Sequence, residues 1–317
     1  MPIAKTKPKK ELHEQTIEIS GLPKVGKTDM ASKFPKPLFL LTEPGQGNRE
    51  LDHWVHPNWK SDEPYILQHA ADFDWAIQEL SKDTQGFQTL ILDTGDNASV
   101  LVTEEILIDN DVPTLNEGTL SYGRGTKLFE RRFREIMFKL AELPMGLVVI
   151  THQKETTISR PGKESQTAWK DTLNDHAKLI VHSMVDMILM LRKEGKQRWI
   201  YTEGDLTIEA GSRIALPEKI PMGNSGAEAY ENFLNAFYCG NGNKQQTRET
   251  LITNCLKGEA FLSDNKIDNF DTEKRMMQSR KKHLNFEDID KASIVNLEAY
   301  LQHLRIKAKN GGNNGTA

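Results

Sequence analysis

Eight consecutive residues, Gly21-Leu22-Pro23-Lys24-Val25-Gly26-Lys27-Thr28, restrict this chain to a small set of folds. They read glycine, four variable positions, then Gly-Lys-Thr, which is the spacing of a Walker A loop. A triphosphate carries several negative charges and must be held without leaving one uncompensated. Gly21 and Gly26 let the backbone turn so that successive N–H groups point at phosphate oxygens. Lys27 then reaches the β- and γ-phosphates, and the Thr28 hydroxyl becomes a ligand for Mg²⁺. A helix starting near Lys27 and carrying Asp29 adds its positive N-terminal end to the cradle. The flanks agree: Thr16-Ile17-Glu18-Ile19-Ser20 reads as a strand running into the loop, and 27–34 as a short helix stopped by Pro35. The ligands implied are ATP and Mg²⁺.

Three further apolar runs of strand length each end in a polar residue. Pro37-Leu38-Phe39-Leu40-Leu41-Thr42 ends at Glu43, and the turn Pro44-Gly45-Gln46-Gly47 keeps that carboxylate at a strand exit. Runs that are apolar on both faces suit the middle of a parallel sheet, whose functional groups collect at the carboxyl ends of its strands. Glu43 is therefore a candidate general base for the water that attacks the γ-phosphate. Phe87-Gln88-Thr89-Leu90-Ile91-Leu92 leads to Asp93, 65 residues beyond Thr28, in the Walker B form that holds hydrated Mg²⁺. Thr94 and Asp96 follow as supporting groups. Met145-Gly146-Leu147-Val148-Val149-Ile150-Thr151 ends at His152, a candidate sensor of the γ-phosphate. The polar stretch 153–173 carries Lys154, Arg160, Lys163 and Trp169 and reads as a long loop suited to a single strand of nucleic acid.

Elsewhere the pattern predicts helices over 71–82, 97–110, 127–142, 174–183 and 227–237. Strands are expected at 185–191 and 197–201 and around 206–209. In the helix over 127–142, Leu128, Phe129, Phe133, Ile136, Met137 and Leu140 share one face, and Arg131, Arg132 and Arg134 lie largely off it. Those arginines suit solvent, a neighbouring subunit or DNA. Trp54, Trp59 and Tyr65 suit either a local core or stacked bases. Residues 1–13 read as a disordered basic arm, 14–240 as the core, 241–309 as a helical appendage able to dock a protein, and 310–317 as a disordered tail. The net charge of −4 over 317 residues excludes a globally basic field, so any nucleic-acid contact must be local. Cys239 and Cys255 have no metal-ligand spacing, which suits a reducing cytoplasm. No apolar run approaches membrane length.

Taken in order, the Walker A loop, the strand ending in Glu43, the strand ending in Asp93, the strand ending at His152 and the segment Ser212-Arg213-Ile214-Ala215-Leu216-Pro217 resemble the RecA-like ATPase core. The resemblance is nearest to phage-encoded RecA-like ATP-binding proteins that act as single-strand annealing or recombination factors, and it spans about 14–240. It implies an α/β fold with a mainly parallel central sheet extended by antiparallel strands. It supports Glu43 as the group that activates water, and His152 or Gln153 as the sensor. It further implies that Arg213 reaches the ATP of a neighbouring subunit, so that the protein self-associates with ATP at subunit interfaces and binds single-stranded DNA. A nucleotide-dependent switch or loader acting on a protein through 241–309 is the alternative, and a small-molecule kinase a third.

Overall fold

The computed structural model describes residues 9, 11–45, 49–158 and 165–240, together with 255–257, 259, 300 and 301. The chain divides into two compact units, Met1–Phe233 and Leu234–Ala317.

The first unit is built on the apolar runs. Strands β1 (Thr16–Gly21), β2 (Pro37–Leu41), β3 (Thr89–Asp93) and β4 (Gly146–Ile158) pair in parallel in the order β2-β3-β4-β1, and β6 (Met187–Glu194) adds in parallel beside β1. Antiparallel β7 (Gln197–Tyr201) and β9 (Lys219–Pro221) extend that side, and the two-residue β8 (Gly211–Ser212) pairs with β6. The sheet is mixed and mostly parallel.

Side chains alternate along each strand, so every strand splits between two faces. Leu38 and Leu40, Leu90 and Leu92, and Leu147 and Val149 enter one core with α2 (Ala71–Lys82), α3 (Gly95–Asn110), α4 (Arg124–Glu142) and α5 (Asp175–Met184). Phe129, Phe133, Ile136, Met137 and Leu140 are the buried stripe of α4, while Leu128, expected on it, is exposed. Arg132 is no open basic group: it holds Asp74 at 2.6 Å and Glu105 at 2.7 Å. Trp54 and Tyr65 are buried, with ring centroids 5.6 Å apart, which makes them a local core and not a stacking surface.

Three expectations need correcting. The stretch 153–173 is no open loop: β4 continues to Ile158 and pairs antiparallel with β5 (Gln166–Asp171) as a ribbon. Threonines and long polar side chains suit a partly exposed antiparallel pair, and that composition lacks the apolar signal of a core strand. The ribbon's tip, with Arg160 and Lys163, lies outside the described residues. Residues 206–209 do not form a strand. Asp205 accepts from the Thr207 and Ile208 amides, a side-chain-closed turn, and only a Trp169–Ile208 bridge remains. Within the predicted arm, Leu12 is buried in a short 3₁₀ turn, Leu12–Glu14.

Helix α1 (Lys27–Ala31) is shorter than the sequence suggests, and α6 (Gly226–Gly240) is longer. In the second unit Tyr300 is buried and donates to Glu259 at 2.6 Å. Most of the appendage, with its basic residues Lys274, Arg275, Arg280, Lys281 and Lys282, and the tail lie outside the described residues. Among the described residues, no helix is long and apolar enough to cross a membrane.

Candidate active site

The register of the parallel strands brings the predicted residues together. Gly21 pairs with His152, Asp93 lies beside Leu41 and Ile150, and Glu43 follows two residues after Leu41. Four strand exits thus open on one edge. The turn between β1 and α1 fits a phosphate cradle. Gly26 caps α1 at φ 113°, a conformation that favours glycine, and a Cβ on Gly21 would lie 2.7 Å from the Leu191 carbonyl oxygen.

Thr28 donates its hydroxyl to Asp93 at 2.9 Å. Burial pushes the Asp93 carboxyl up, and the Thr28 hydrogen bond works against that. A hydroxyl and a carboxylate adjoining at a strand edge are hard oxygen donors, so the pair fits Mg²⁺. Lys27 is buried, and its ammonium donates to the Gly21 carbonyl at 2.7 Å and the Leu22 carbonyl at 3.2 Å. Burial lowers the Lys27 pKa, and Asp93, Asp96 and Glu43 counter it.

A hydrogen-bonded chain runs from Lys27 across the site. Lys27 Nζ lies 3.3 Å from His152 Nδ1, and His152 Nε2 lies 2.9 Å from Glu43 Oε1. An ammonium only donates, so Nδ1 accepts, and the neutral tautomer carries its proton on Nε2 and donates to Glu43. Asn97 completes the chain by donating to Glu43 Oε2 at 3.1 Å and to the Thr42 carbonyl at 3.3 Å. Thr42 in turn joins the exits of β2 and β3, since its amide donates to the Asp93 carbonyl and its hydroxyl to that of Thr94. Asp96 accepts the His152 amide at 2.9 Å and the Thr172 hydroxyl.

Alternation along β4 sends His152 and Gln153 to opposite faces. His152 reaches Lys27 and Glu43, whereas Gln153 is buried and donates to Ser20. Asn97 and Thr42 carry no motif, and their part follows only from the position of the first turn of α3. Asp29 lies just outside the cluster and accepts the Gly226 amide at 2.8 Å. Arg213 is not brought to this edge. It sits beyond β8, at the amino end of β6, donating to Ser183 O at 3.1 Å and lying 3.4 Å from Asp186.

A mostly parallel sheet with a glycine-bounded loop entering a helix, an adjacent Thr–Asp pair and a carboxylate at the next strand exit defines a P-loop ATPase-type domain. The family model described as "AAA domain" matches residues 13–214, more than half of the chain. The chain belongs to that family, whose domain binds and hydrolyses nucleotide. No curated protein matches the chain.

Proposed function

We propose that this is an ATP-hydrolysing protein of the RecA-like type that acts on single-stranded DNA in phage-type recombination, annealing or replication. The observation that carries the reading is continuity: His152, at the centre of the Lys27–His152–Glu43 chain, is also the residue from which the β4–β5 ribbon departs. The ribbon's return passes Thr172, whose amide donates to the His152 carbonyl at 2.9 Å. What binds at the strand edge is thereby linked to a ribbon bearing Lys154, Lys170 and Trp169, the last stacked under Arg192 at 5.0 Å.

In this reading Lys27 binds the β- and γ-phosphates. Thr28 and Asp93 hold Mg²⁺, which when bound neutralises phosphate charge. Glu43, held by Asn97 and His152, orients a water; the water oxygen bonds to the γ-phosphorus as its proton passes to the carboxylate. The bond to the β-phosphate oxygen breaks, and its electron pair leaves with ADP. Phosphate oxygens compete with His152 for the Lys27 ammonium, and a change at His152 is felt at the ribbon's base. Arg213 of a neighbouring subunit supplies charge in trans. Lys27→Ala should abolish ATP turnover. Labelled single strands should be retained on filters at low salt in a nucleotide-dependent way; no retention in either nucleotide state removes DNA from the proposal.

A second reading rests on the separate unit at Leu234–Ala317. There the ATP site drives docking of a protein through 241–309. Removing 241–317 separates the two, because loss of partner binding with retained turnover favours the switch.

A further inference from the structure

A second group of ionisable side chains lies away from the strand edge. Glu18 occupies the middle of β1 and is 0% exposed. It points to the α5 face, under His182, whereas His152 and Asp93 turn to the other face. His182 Nε2 lies 3.1 Å from Glu18 Oε2 and 3.1 Å from Asp171 Oδ2, and Asp171 is the last residue of β5. These three atoms and Asp171 Oδ1 are buried without an aligned hydrogen bond. One N–H cannot point at two oxygens at once, so proximity here is not matched by bonding geometry.

The surroundings are arranged around the three residues. Thr151 donates to Glu18 Oε1 at 2.8 Å and fixes that carboxylate. Lys178 lies 3.0 Å from both Asp171 Oδ1 and Glu209 Oε2. With neutral imidazole, the buried Glu18 and Asp171 and the part-exposed Glu209 face one ammonium, leaving an excess of negative charge that a divalent cation offsets. Ligand atoms around a tetrahedral ion with bonds of about 2.0–2.2 Å stand a little over 3 Å apart; the His182 nitrogen lies 3.1 Å from each carboxylate oxygen, and the three atoms all fall within 4.8 Å of one another. His182 is 25% exposed at its side chain while Glu18 and Asp171 are 0% and 2%, so its ring forms the entry.

We propose that Glu18, Asp171 and His182 form a binding site for a divalent transition-metal ion of the zinc class, with water as a fourth ligand. An imidazole nitrogen with two carboxylate oxygens is a borderline-to-hard donor set that zinc accepts. The ion joins β1, β5 and α5, and so fastens the base of the ribbon to the strand that leads into the Walker A loop.

The full chain, stripped with chelator, is titrated with Co²⁺ and followed by visible absorption. The expected result is one Co²⁺ per chain with the intense bands of a tetrahedral site, displaced by Zn²⁺. Asp93→Asn should leave those bands in place, and His182→Ala should weaken binding at least about 100-fold, beyond what a positioning residue gives. Zn²⁺ should raise the thermal midpoint of the wild-type chain. Where His182→Ala does not fold, the wild-type and Asp93→Asn spectra decide. Absence of tetrahedral bands in the wild type overturns the site and leaves an imidazolium-closed ion triad. Bands that survive His182→Ala undiminished, or vanish in Asp93→Asn, overturn it equally.

Discussion

The two ends of the parallel strands are both rich in charge, yet they are organised differently. At the carboxyl ends, side chains bond to one another along Lys27–His152–Glu43–Asn97 and Thr28–Asp93, beside the bonds Lys27 makes to the Gly21 and Leu22 carbonyls, and their groups converge on an edge. At the amino ends, the charge is absorbed by backbone closure. Asp186 accepts the Thr16 amide at 3.0 Å and Lys9 at 2.7 Å, and its own amide donates to the Thr16 carbonyl at 2.7 Å. The contrast teaches that charge density alone does not mark a site. Side chains left to bond one another at strand exits remain available to a ligand; those committed to starting a strand do not.

Substitutions at both ends test this division. The largest effect is expected from Lys27→Ala, which removes the ammonium and should eliminate ATP binding in an equilibrium titration while the fold is kept. Glu43→Gln comes next: turnover should fall about 10²–10⁴-fold, as for loss of a general base, with nucleotide affinity nearly unchanged. An equal loss of affinity would show that Glu43 serves binding instead. At the other end, Asp186→Ala should destabilise by about 1–3 kcal/mol in denaturant unfolding, through the Thr16 amide left without its acceptor. If nucleotide affinity drops with it, the two ends are not separable. The smallest effect is that of Arg213→Ala, below about 1 kcal/mol, because the side chain is 60% exposed and its ion pair is screened. Turnover measured at rising protein concentration sharpens that case. The proposed role in trans requires a concentration-dependent part that Arg213→Ala removes.

Much of the sheet was readable because β2, β3 and the first half of β4 are nearly continuous apolar runs leading to a polar residue, and β1 runs straight into the first glycine of the phosphate loop. Helix α2 matches the predicted 71–82, since Phe73, Ala76 and Leu80 give a clear helical stripe. The ribbon was missed for a related reason. Gln153-Lys154-Glu155-Thr156-Thr157 carries no apolar alternation, and only its pairing with Gln166–Asp171 makes it a strand. In the sequence Glu18 is indistinguishable from an ordinary strand residue, because a carboxylate between two isoleucines reveals nothing of His182 or Asp171. Asn97 was invisible for want of a motif; it matters because Thr94 caps α3 and sets Asn97 facing Glu43.

The sequence alone determined the phosphate loop, the acids at the strand ends and the α/β class, since each depends on residue type and spacing within a few neighbours. Tertiary structure alone decided that His152 and not Gln153 meets Lys27, that Arg213 lies at the opposite end, and that Glu18, Asp171 and His182 gather in the interior. Those outcomes depend on strand register and on which face a side chain takes, and a one-residue shift in pairing reverses them.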